Sequence, residues 1–177
     1  MIWITGATGD LGQELVRQYS GDKLSTVRFD VTNFEAIETE FKKRLEKNGP
    51  PKAVFHCAVY VELSKTESNP SHTIAVNTLG TANVLSALEK LNLKPWTCVV
   101  SSGHGYAPVP KPQRLDEQSV VLPRSAYALS KLHGEQWATF IAERAKIPLF
   151  IPRIFSFTAP WQRQSFVVPR LAKLIRD

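Results

Sequence analysis

The order of apolar and amphipathic runs predicts the α/β fold class, with a doubly wound parallel sheet of about five to six strands and helices on both faces. Short β-branched runs alternate with longer amphipathic runs along the chain, which is the pattern of strand–helix–strand units. The strands after the first are short and apolar, as strands buried on both faces are. The first strand leads into a glycine-rich turn that opens a helix.

Five strands and five helices make up this pattern. The strands are predicted at residues 2–5, 26–29, 53–57, 96–101 and 149–153. The helices are predicted at residues 11–19, 33–47, 70–91, 125–146 and 166–175. Thr32 or Asn33 is expected to cap the second helix, and Asn69 followed by Pro70 is typical of the start of the third.

Composition limits the class of protein. The chain has 177 residues, 43% hydrophobic and 21% charged, which suits one domain with a sizeable core. No apolar run reaches the roughly 18 residues of a membrane helix, so we expect no membrane partner. Met1 leads directly into a strand-like run without the basic region of a signal peptide, and Cys57 and Cys98 lie in apolar runs. We therefore expect a cytoplasmic protein with reduced thiols.

The positive charge is concentrated near the end of the chain. Residues 143–177 contain seven Lys or Arg and two acidic residues, out of a net charge of +6 for the whole chain. The preferred interpretation of this charge is a solvated helix face, and the second is a site for phosphate groups. Nucleic acid is not expected as a partner, because no aromatic-basic motif accompanies the charge.

Ligands of such sheets bind beyond the carboxyl ends of the strands, so the segments after each strand carry the functional candidates. The turn after the first strand holds Gly6, Gly9 and Gly12, which let the backbone approach a pyrophosphate at a helix N-terminus. This predicts dinucleotide binding; the alternative is a purely structural turn.

Several motifs in order resemble the extended short-chain dehydrogenase/reductase superfamily, the NAD-dependent epimerase/dehydratase family. They are TGATGDLG at 5–12, HCA at 56–58, NTLGT at 77–81, SSGHGY at 101–106, YALSK at 127–131 and IPRIF at 151–155. The resemblance implies a Rossmann domain over residues 1–155 that binds NAD or NADP. It assigns cofactor contacts to Gly6, Gly9, Asp10, Leu11, Gly12, Asp30, Val31, Ala58, Asn77, Tyr127, Lys131 and Phe155. For Asn77 the alternative is a polar residue that satisfies a helix kink near Gly80.

The adenosine end departs from the family pattern, since the chain has about one strand too few there. Asp30 stands 18 residues after Gly12, near the spacing expected of an acid that binds the ribose. Its carboxylate disfavours a 2′-phosphate and slightly favours NAD, whereas Lys23 and Arg28 argue for NADP. The alternative for Asp30 is a helix-capping loop residue.

Tyr127, Lys131 and Ser102 are the predicted catalytic residues. Lys131 lies four residues after Tyr127 on one helix face, where its ammonium would lower the pKa of the tyrosine. In the family, the lysine also bonds the nicotinamide ribose, and Ser102 would be a second donor to the substrate oxygen. An ordinary helix with an aromatic residue and a cation on one face is the alternative.

The neighbours of Ser102 narrow the predicted reaction. The 4,6-dehydratases of this branch have two carboxylates after the catalytic residue, where this chain has Gly103 and His104, so dehydration is not expected. His104 is predicted to contact substrate or to be structural, with a general acid as a lesser alternative. No metal site is expected, because His56, His72 and His133 form no ligand spacing with it.

Residues 156–177 are predicted to begin a truncated substrate-binding lobe. The segment resembles that of GDP-4-keto-6-deoxymannose reductases, with Ser156, Ala159 and Trp161 as departures. Ser156 is expected to bind substrate, and Arg170 to bind the diphosphate of a nucleotide sugar. Extended members continue well beyond this length, so the chain is either a fragment or a reduced member.

The leading hypothesis is thus 4-keto reduction of a nucleotide-activated sugar. A nucleotide-sugar 4-epimerase is second, and a non-catalytic dinucleotide-binding sensor or interaction module is the alternative of another class. The family resemblance also implies a homodimer formed by the helices at 70–91 and 125–146.

Overall fold

The computed structural model describes residues 1–19, 24–27, 29–109 and 114–176. Its centre is a parallel sheet of five strands in the order β2-β1-β3-β4-β6. These strands are β1 (Ile2–Thr5), β2 (Leu24–Val27), β3 (Ala53–His56), β4 (Trp96–Val99) and β6 (Leu149–Phe150). The predicted doubly wound parallel sheet is confirmed. The arguments for NADP from Lys23 and Arg28 lie outside the described residues.

Two of the predicted strands are each divided in two. After β4, the chain forms a second short strand, β5 (Ser101–Ser102), which pairs in parallel with β7 (Arg153–Ile154) in a separate two-stranded sheet. The single strands predicted at 96–101 and 149–153 are therefore wrong in extent. Pro152 lies between β6 and β7, and because proline has no N–H it cannot continue the ladder. The predicted strand at 26–29 is also displaced, since β2 ends at Val27.

In the described residues, the α-helices that connect or follow the strands are α1 (Asp10–Gln18), α2 (Phe34–Asn48), α3 (Leu63–Ser68), α4 (Pro70–Ile74), α5 (Gly80–Lys90), α6 (Ala126–Ala145) and α7 (Val167–Arg176). Helix α3 was not predicted. The single helix predicted at 70–91 is interrupted by a π-helical turn, Ala75–Leu79, between α4 and α5. A 3₁₀ turn, Gly103–Gly105, follows β5.

Polar side chains cap three of these helices, and the caps at Asn33 and Asn69 confirm the prediction. Asn33 Oδ1 accepts from Ala36 N–H at 3.0 Å at the start of α2. Asn69 Oδ1 accepts from His72 N–H at 3.2 Å at the start of α4, where Pro70 takes the first position. The side chain of Ser125 caps α6. These caps satisfy donors that have no partner within the helix, and they fix where each helix begins.

The main core lies between the sheet and helices α2, α5 and α6. Trp3 and Val54 point from the sheet into this layer, where Phe41 of α2 packs on Trp3 with ring centroids 4.7 Å apart. The opposite face carries α1, whose C-cap residue Tyr19 lies 5.8 Å from the ring of Phe55. The two faces thus receive alternate side chains of each strand.

Three further observations concern membrane-spanning helices, the cysteines and the exposure of helix α7. No helix in the described ranges is both long and apolar enough to cross a membrane. Cys57 is half-buried, Cys98 is buried, and both are free thiols. Helix α7, predicted at 166–175, has no buried residue.

Replacing Phe41 with Ala is expected to lower the free energy of unfolding by about 3–5 kcal/mol, because the side chain is fully buried against Trp3. Urea denaturation measures this change. The matched control is Phe140→Ala, on α6, because 55% of Phe140 is exposed. That control should cost less than about 1 kcal/mol; a similar loss in both variants would contradict the assignment of the core to the α2 side of the sheet.

Candidate active site

The glycine turn after β1 brings two backbone segments into direct contact. Gly6 has φ of +68°, and a side chain there would overlap the backbone of Ala58, which follows β3. A side chain at Gly12 would overlap the carbonyl of Gly6. Both positions therefore require glycine, and the turn forms an open cradle at the carboxyl edge of β1 and β3.

The start of α1 offers free backbone donors to this cradle. Gly9 is the N-cap residue and makes no side-chain cap, and the first intrahelical bond runs from Gln13 N–H to Gly9 O at 2.9 Å. The N–H groups of Asp10, Leu11 and Gly12 precede that bond in the first turn. Free amides at the positive end of the helix dipole fit the pyrophosphate of a dinucleotide.

Asp30 lies at the carboxyl end of β2, next to β1, on the side where the adenosine half of a dinucleotide would extend. Its exposed carboxylate accepts from the N–H of Thr32 at 2.9 Å and from its hydroxyl at 2.8 Å. These bonds lower the pKa of Asp30. Asp30 therefore stabilises its own turn and also presents a negative charge. Val31 is buried beneath it, against Gly80 of α5.

Asn77 lies in the π-helical turn and is fully buried. Its Oδ1 accepts from Tyr60 N–H at 2.8 Å, and its Nδ2 donates to Tyr60 O at 2.9 Å and to Ser130 Oγ at 3.0 Å. The protein thus uses both ends of the amide. The amide therefore connects the loop after β3 to α6.

A buried histidine connects this turn to the end of β1. Thr81 Oγ1 donates to Asn77 O at 2.7 Å, so it accepts from His56 Nε2–H at 3.1 Å. His56 Nδ1 then accepts from the Thr5 hydroxyl at 2.7 Å. Burial, followed by the charge of Lys131, lowers the pKa of His56 to about 3. The ring is therefore neutral and structural, and its role was not predicted.

The three predicted catalytic side chains come from two elements that meet at the carboxyl edge. Ser102 ends β5, and Tyr127 and Lys131 lie in the first turns of α6. All three are buried: Ser102 is 6%, Tyr127 9% and Lys131 5% exposed. The Ser102 hydroxyl lies near the phenol of Tyr127. The His104 ring stands edge-on to that of Tyr127, with centroids 5.8 Å apart.

The electrostatics of the pair differ from the prediction. Burial raises the pKa of Tyr127, and the nearby Ser102 hydroxyl only partly opposes this. Burial also lowers the pKa of Lys131 to about 8. The expected lowering of the tyrosine pKa is therefore wrong for the protein alone, because the loss of hydration around Tyr127 dominates. Tyr127 is held as a protonated donor.

A second group of buried polar residues beside Ser102 was not predicted. Glu135, one helical turn after Lys131, binds Arg153 of β7 and the hydroxyl of Ser101. The Arg153 guanidinium lies 5.0 Å above the ring of Tyr106, which stacks on Phe155 at 6.1 Å. The repeat of buried polar residues at 127, 131 and 135 is the sequence signal that points to Glu135.

The predicted substrate side is more open. Phe155 is 56% exposed, and its ring covers Gly103. His104, Ser156 and Arg170 are exposed, with Arg170 on α7 and Ser156 directly after Phe155. Trp161 Nε1 donates to Asp10 O at 3.2 Å, so the segment after β7 passes over the start of α1. Within the described ranges, no cluster of three or more His, Cys, Asp or Glu side chains could hold a metal ion.

A family model described as the NAD dependent epimerase/dehydratase family matches residues 2–177. GDP-6-deoxy-D-mannose reductase of Pseudomonas aeruginosa is 32% identical over 180 residues, covering 98% of this chain and 58% of that protein. A putative UDP-glucose 4-epimerase of Methanocaldococcus jannaschii is 27% identical over 160 residues, covering 77% and 49% respectively. The chain thus spans about half the length of these relatives.

Solved structures agree with the sequence match. The structure of RMD from Pseudomonas aeruginosa complexed with NADPH superposes with a TM-score of 0.87 at 25% identity, covering 98% of this chain and 60% of that one. A dTDP-4-dehydrorhamnose reductase from Bacillus anthracis in complex with NADP gives a TM-score of 0.82 at 22% identity, covering 99% and 60%. The latter likeness concerns the fold alone.

His56 should make stability depend on pH in a defined window. Its pKa is about 3 in the folded state and 6.5 unfolded, so the unfolded chain binds one more proton between these values. Stability should therefore fall as the pH drops from 6.5, by about 1.4 kcal/mol per pH unit for this group. In His56→Gln this contribution is absent, so its stability deficit relative to wild type should shrink from pH 6 to pH 4.

Urea denaturation of both proteins at several pH values measures this difference. His133→Gln is the control, because His133 is exposed on α6. It should leave the pH dependence of the free energy of unfolding unchanged. Parallel pH curves for wild type and His56→Gln would contradict the assignment of a neutral, buried imidazole.

Proposed function

The chain belongs to the NAD-dependent epimerase/dehydratase family, of the extended short-chain type, and from this we propose that it is an NAD(P)-dependent reductase of 4-keto nucleotide sugars. The observation that carries the proposal is the grouping of Ser102, Tyr127 and Lys131 beside the glycine cradle at one edge of the sheet. A site that only bound a dinucleotide would have no need of a buried proton donor with a lysine one turn away. This weighs against a non-catalytic sensor.

The residues at the carboxyl edge fit a dinucleotide cofactor. The free N–H groups of Asp10, Leu11 and Gly12 would hold its pyrophosphate, since nothing but backbone borders the cradle at Gly6 and Ala58. Gly9 borders the same turn, and Lys131 and Phe155 would lie toward the nicotinamide end. When bound, the nicotinamide would supply the hydride for reduction. Asp30 supports NAD over NADP, because its carboxylate would repel a 2′-phosphate.

Tyr127 would donate a proton to the substrate oxygen as the carbonyl becomes an alcohol. A phenol carries a proton near neutral pH, as a general acid must before it can donate one. Ser102 would donate a second hydrogen bond to the same oxygen and hold it in place. Lys131 would stabilise the phenolate that remains, because the two groups are one helical turn apart.

The substrate assignment rests on the exposed side of the site. His104 and Ser156 would contact the sugar, and Arg170 would bind the diphosphate, although it lies on the exposed helix α7. Residues 156–177 would begin the substrate-binding lobe, after a dinucleotide-binding domain of residues 1–155. Gly103 and His104 in place of two carboxylates support reduction over dehydration.

A 4-epimerase is the second candidate. The similarity to a putative UDP-glucose 4-epimerase supports it. The two activities differ in the fate of the cofactor, because a reductase consumes reduced cofactor with each turnover and an epimerase regenerates it. Net oxidation of NAD(P)H therefore separates them.

We also propose that the protein forms a homodimer, and the outer faces of α4 and α6 support this. On α6, Trp137 and Phe140 are 50% and 55% exposed, and Ile74 of α4 is 53% exposed. Large apolar side chains on adjoining helices are typical of an interface between subunits. The free thiols of Cys57 and Cys98 suit the cytoplasmic location that we propose.

Tyr127→Phe is expected to lower turnover at least about 100-fold, because it removes only the hydroxyl that gives the proton. Cofactor affinity should change less than about threefold, since the ring and Lys131 remain. Absorbance at the NAD(P)H band measures turnover with a panel of 4-keto nucleotide sugars, and cofactor fluorescence measures binding. Tyr19→Phe, on the opposite face of the sheet, is the control and should retain full activity. Unchanged turnover in Tyr127→Phe would refute the proposed chemistry.

Asp30→Asn is expected to raise affinity for NADPH relative to NADH by roughly fivefold, because it removes a charge worth about 1 kcal/mol at contact distance in water. Asparagine keeps an oxygen that can accept from Thr32, so the turn should be preserved. Fluorescence titration with each cofactor gives the ratio. An unchanged ratio would show that Asp30 does not face the ribose.

A further inference from the structure

Glu135 is a buried carboxylate whose partners all lie next to the proposed catalytic residues. It is 8% exposed and lies one turn beyond Lys131 on α6. Arg153 Nε donates to its two oxygens at 3.0 and 3.1 Å, and Arg153 Nη2 donates to Oε2 at 2.7 Å. The Ser101 hydroxyl donates to Oε1. Four hydrogen bonds thus converge on one carboxylate.

These bonds join the two elements that carry the site. Ser101 precedes Ser102 on β5, and Arg153 lies directly opposite Ser101 on β7. Glu135 therefore connects both short strands to α6, the helix of Tyr127 and Lys131. Neither strand belongs to the main sheet, so the backbone hydrogen bonds of the main sheet do not fix the positions of β5 and β7. The carboxylate supplies a side-chain tie between the short sheet and the helix.

We propose that Glu135, with Arg153, is a positioning residue that fixes Ser102 relative to Tyr127 and Lys131. This rests on the proposed reduction, in which Ser102 and Tyr127 must reach one oxygen atom. Hydrogen-bond geometry tolerates only small displacements, so a shift of β5 against α6 would separate the two donors. Glu135 itself contacts neither cofactor nor substrate in this scheme.

The chemistry of the pair suits positioning better than simple stabilisation. A buried ion pair adds little net stability over well-packed apolar residues of the same volume, because both charges lose hydration. A bidentate arginine–carboxylate pair, in contrast, fixes both distance and orientation. Glu135 also acts on Lys131, since its charge raises the pKa of the ammonium against the effect of burial.

A set of variants tests the proposal in the intact chain. Glu135→Gln keeps the shape and removes the charge, Arg153→Met removes the partner, and the double variant removes both. The matched control is Glu89→Gln, because Glu89 forms a similar bidentate pair with Arg144 at 2.7 and 2.6 Å, between α5 and the far end of α6. Melting temperature checks that each variant folds.

Two readouts distinguish positioning from a structural role. The first readout compares the change in kcat for the 4-keto sugar with the change in the Kd of the cofactor in each variant. The second is the pKa of Lys131, followed by NMR of carbon-13 labelled lysine and assigned with Lys131→Met. This titration needs no catalytic activity, so it decides the inference even if wild type shows no turnover.

Glu135→Gln is expected to lower kcat about 10- to 100-fold, with a change in cofactor Kd below about threefold. The pKa of Lys131 should fall below its wild-type value, and the double variant should lose no more kcat than either single variant. Glu89→Gln should change neither readout. An active wild type with unchanged kcat in Glu135→Gln would overturn the inference while leaving the proposed function intact. An inactive wild type would overturn the proposed function, and an unchanged Lys131 pKa would then overturn the inference as well.

Discussion

The close packing of α6 against the π-helical turn is the constraint on which the site depends. A side chain at Gly134 would come within 2.9 Å of the Asn77 carbonyl, so only glycine allows this approach. Thr78 Oγ1 donates to Ser130 O at 2.9 Å, and Ser130 Oγ donates to Tyr127 O at 2.8 Å. These contacts place the polar face of α6 inward, where Tyr127 and Lys131 meet the edge of the sheet.

Burying that polar face has an electrostatic consequence. Every polar group on it must find a partner, because an unsatisfied group in the interior costs the hydration it has lost. Ser130 and Glu135 are satisfied by the protein, and Lys131 carries a pKa lowered to about 8. The site is therefore built with a poorly hydrated cation beside a protonated tyrosine. A phenolate forming on Tyr127 would give that cation the counter-charge that water no longer provides.

The sequence predicted those features of the fold that depend on local patterns. The alternation of strands and helices, the caps at Asn33 and Asn69 and the glycine turn involve residues close together in the chain. The π-helical turn and the pairing of β5 with β7 were not predicted, because their causes are tertiary; Pro152, which separates β6 from β7, is a local signal by contrast. The β5–β7 pairing, for example, joins Ser101 to Arg153, and no periodicity within either segment indicates it.

The same distinction applies to the site. Ser102, Tyr127 and Lys131 could be predicted because the resemblance concerns short motifs that stand in order. The roles of Glu135 and His56 could not, since each depends on partners far away in sequence: Ser101 is 34 residues from Glu135, and Thr5 is 51 residues from His56. The prediction of a lowered tyrosine pKa was wrong for a related reason, because helical spacing gives the distance of a charge but not the loss of hydration around it.

The groups proposed for proton transfer lie in the protein interior, whereas those proposed for substrate binding lie at the surface. The groups proposed for proton transfer are less than one tenth exposed, and the protein holds them through its own hydrogen bonds and packing. The residues proposed for the sugar nucleotide, such as Ser156 and Arg170, face solvent in the described part of the chain. Reaction type is therefore constrained by the interior, where a substitution disturbs several contacts at once. Under the proposed function, substrate choice would depend on surface residues such as Ser156, which can change without disturbing the fold.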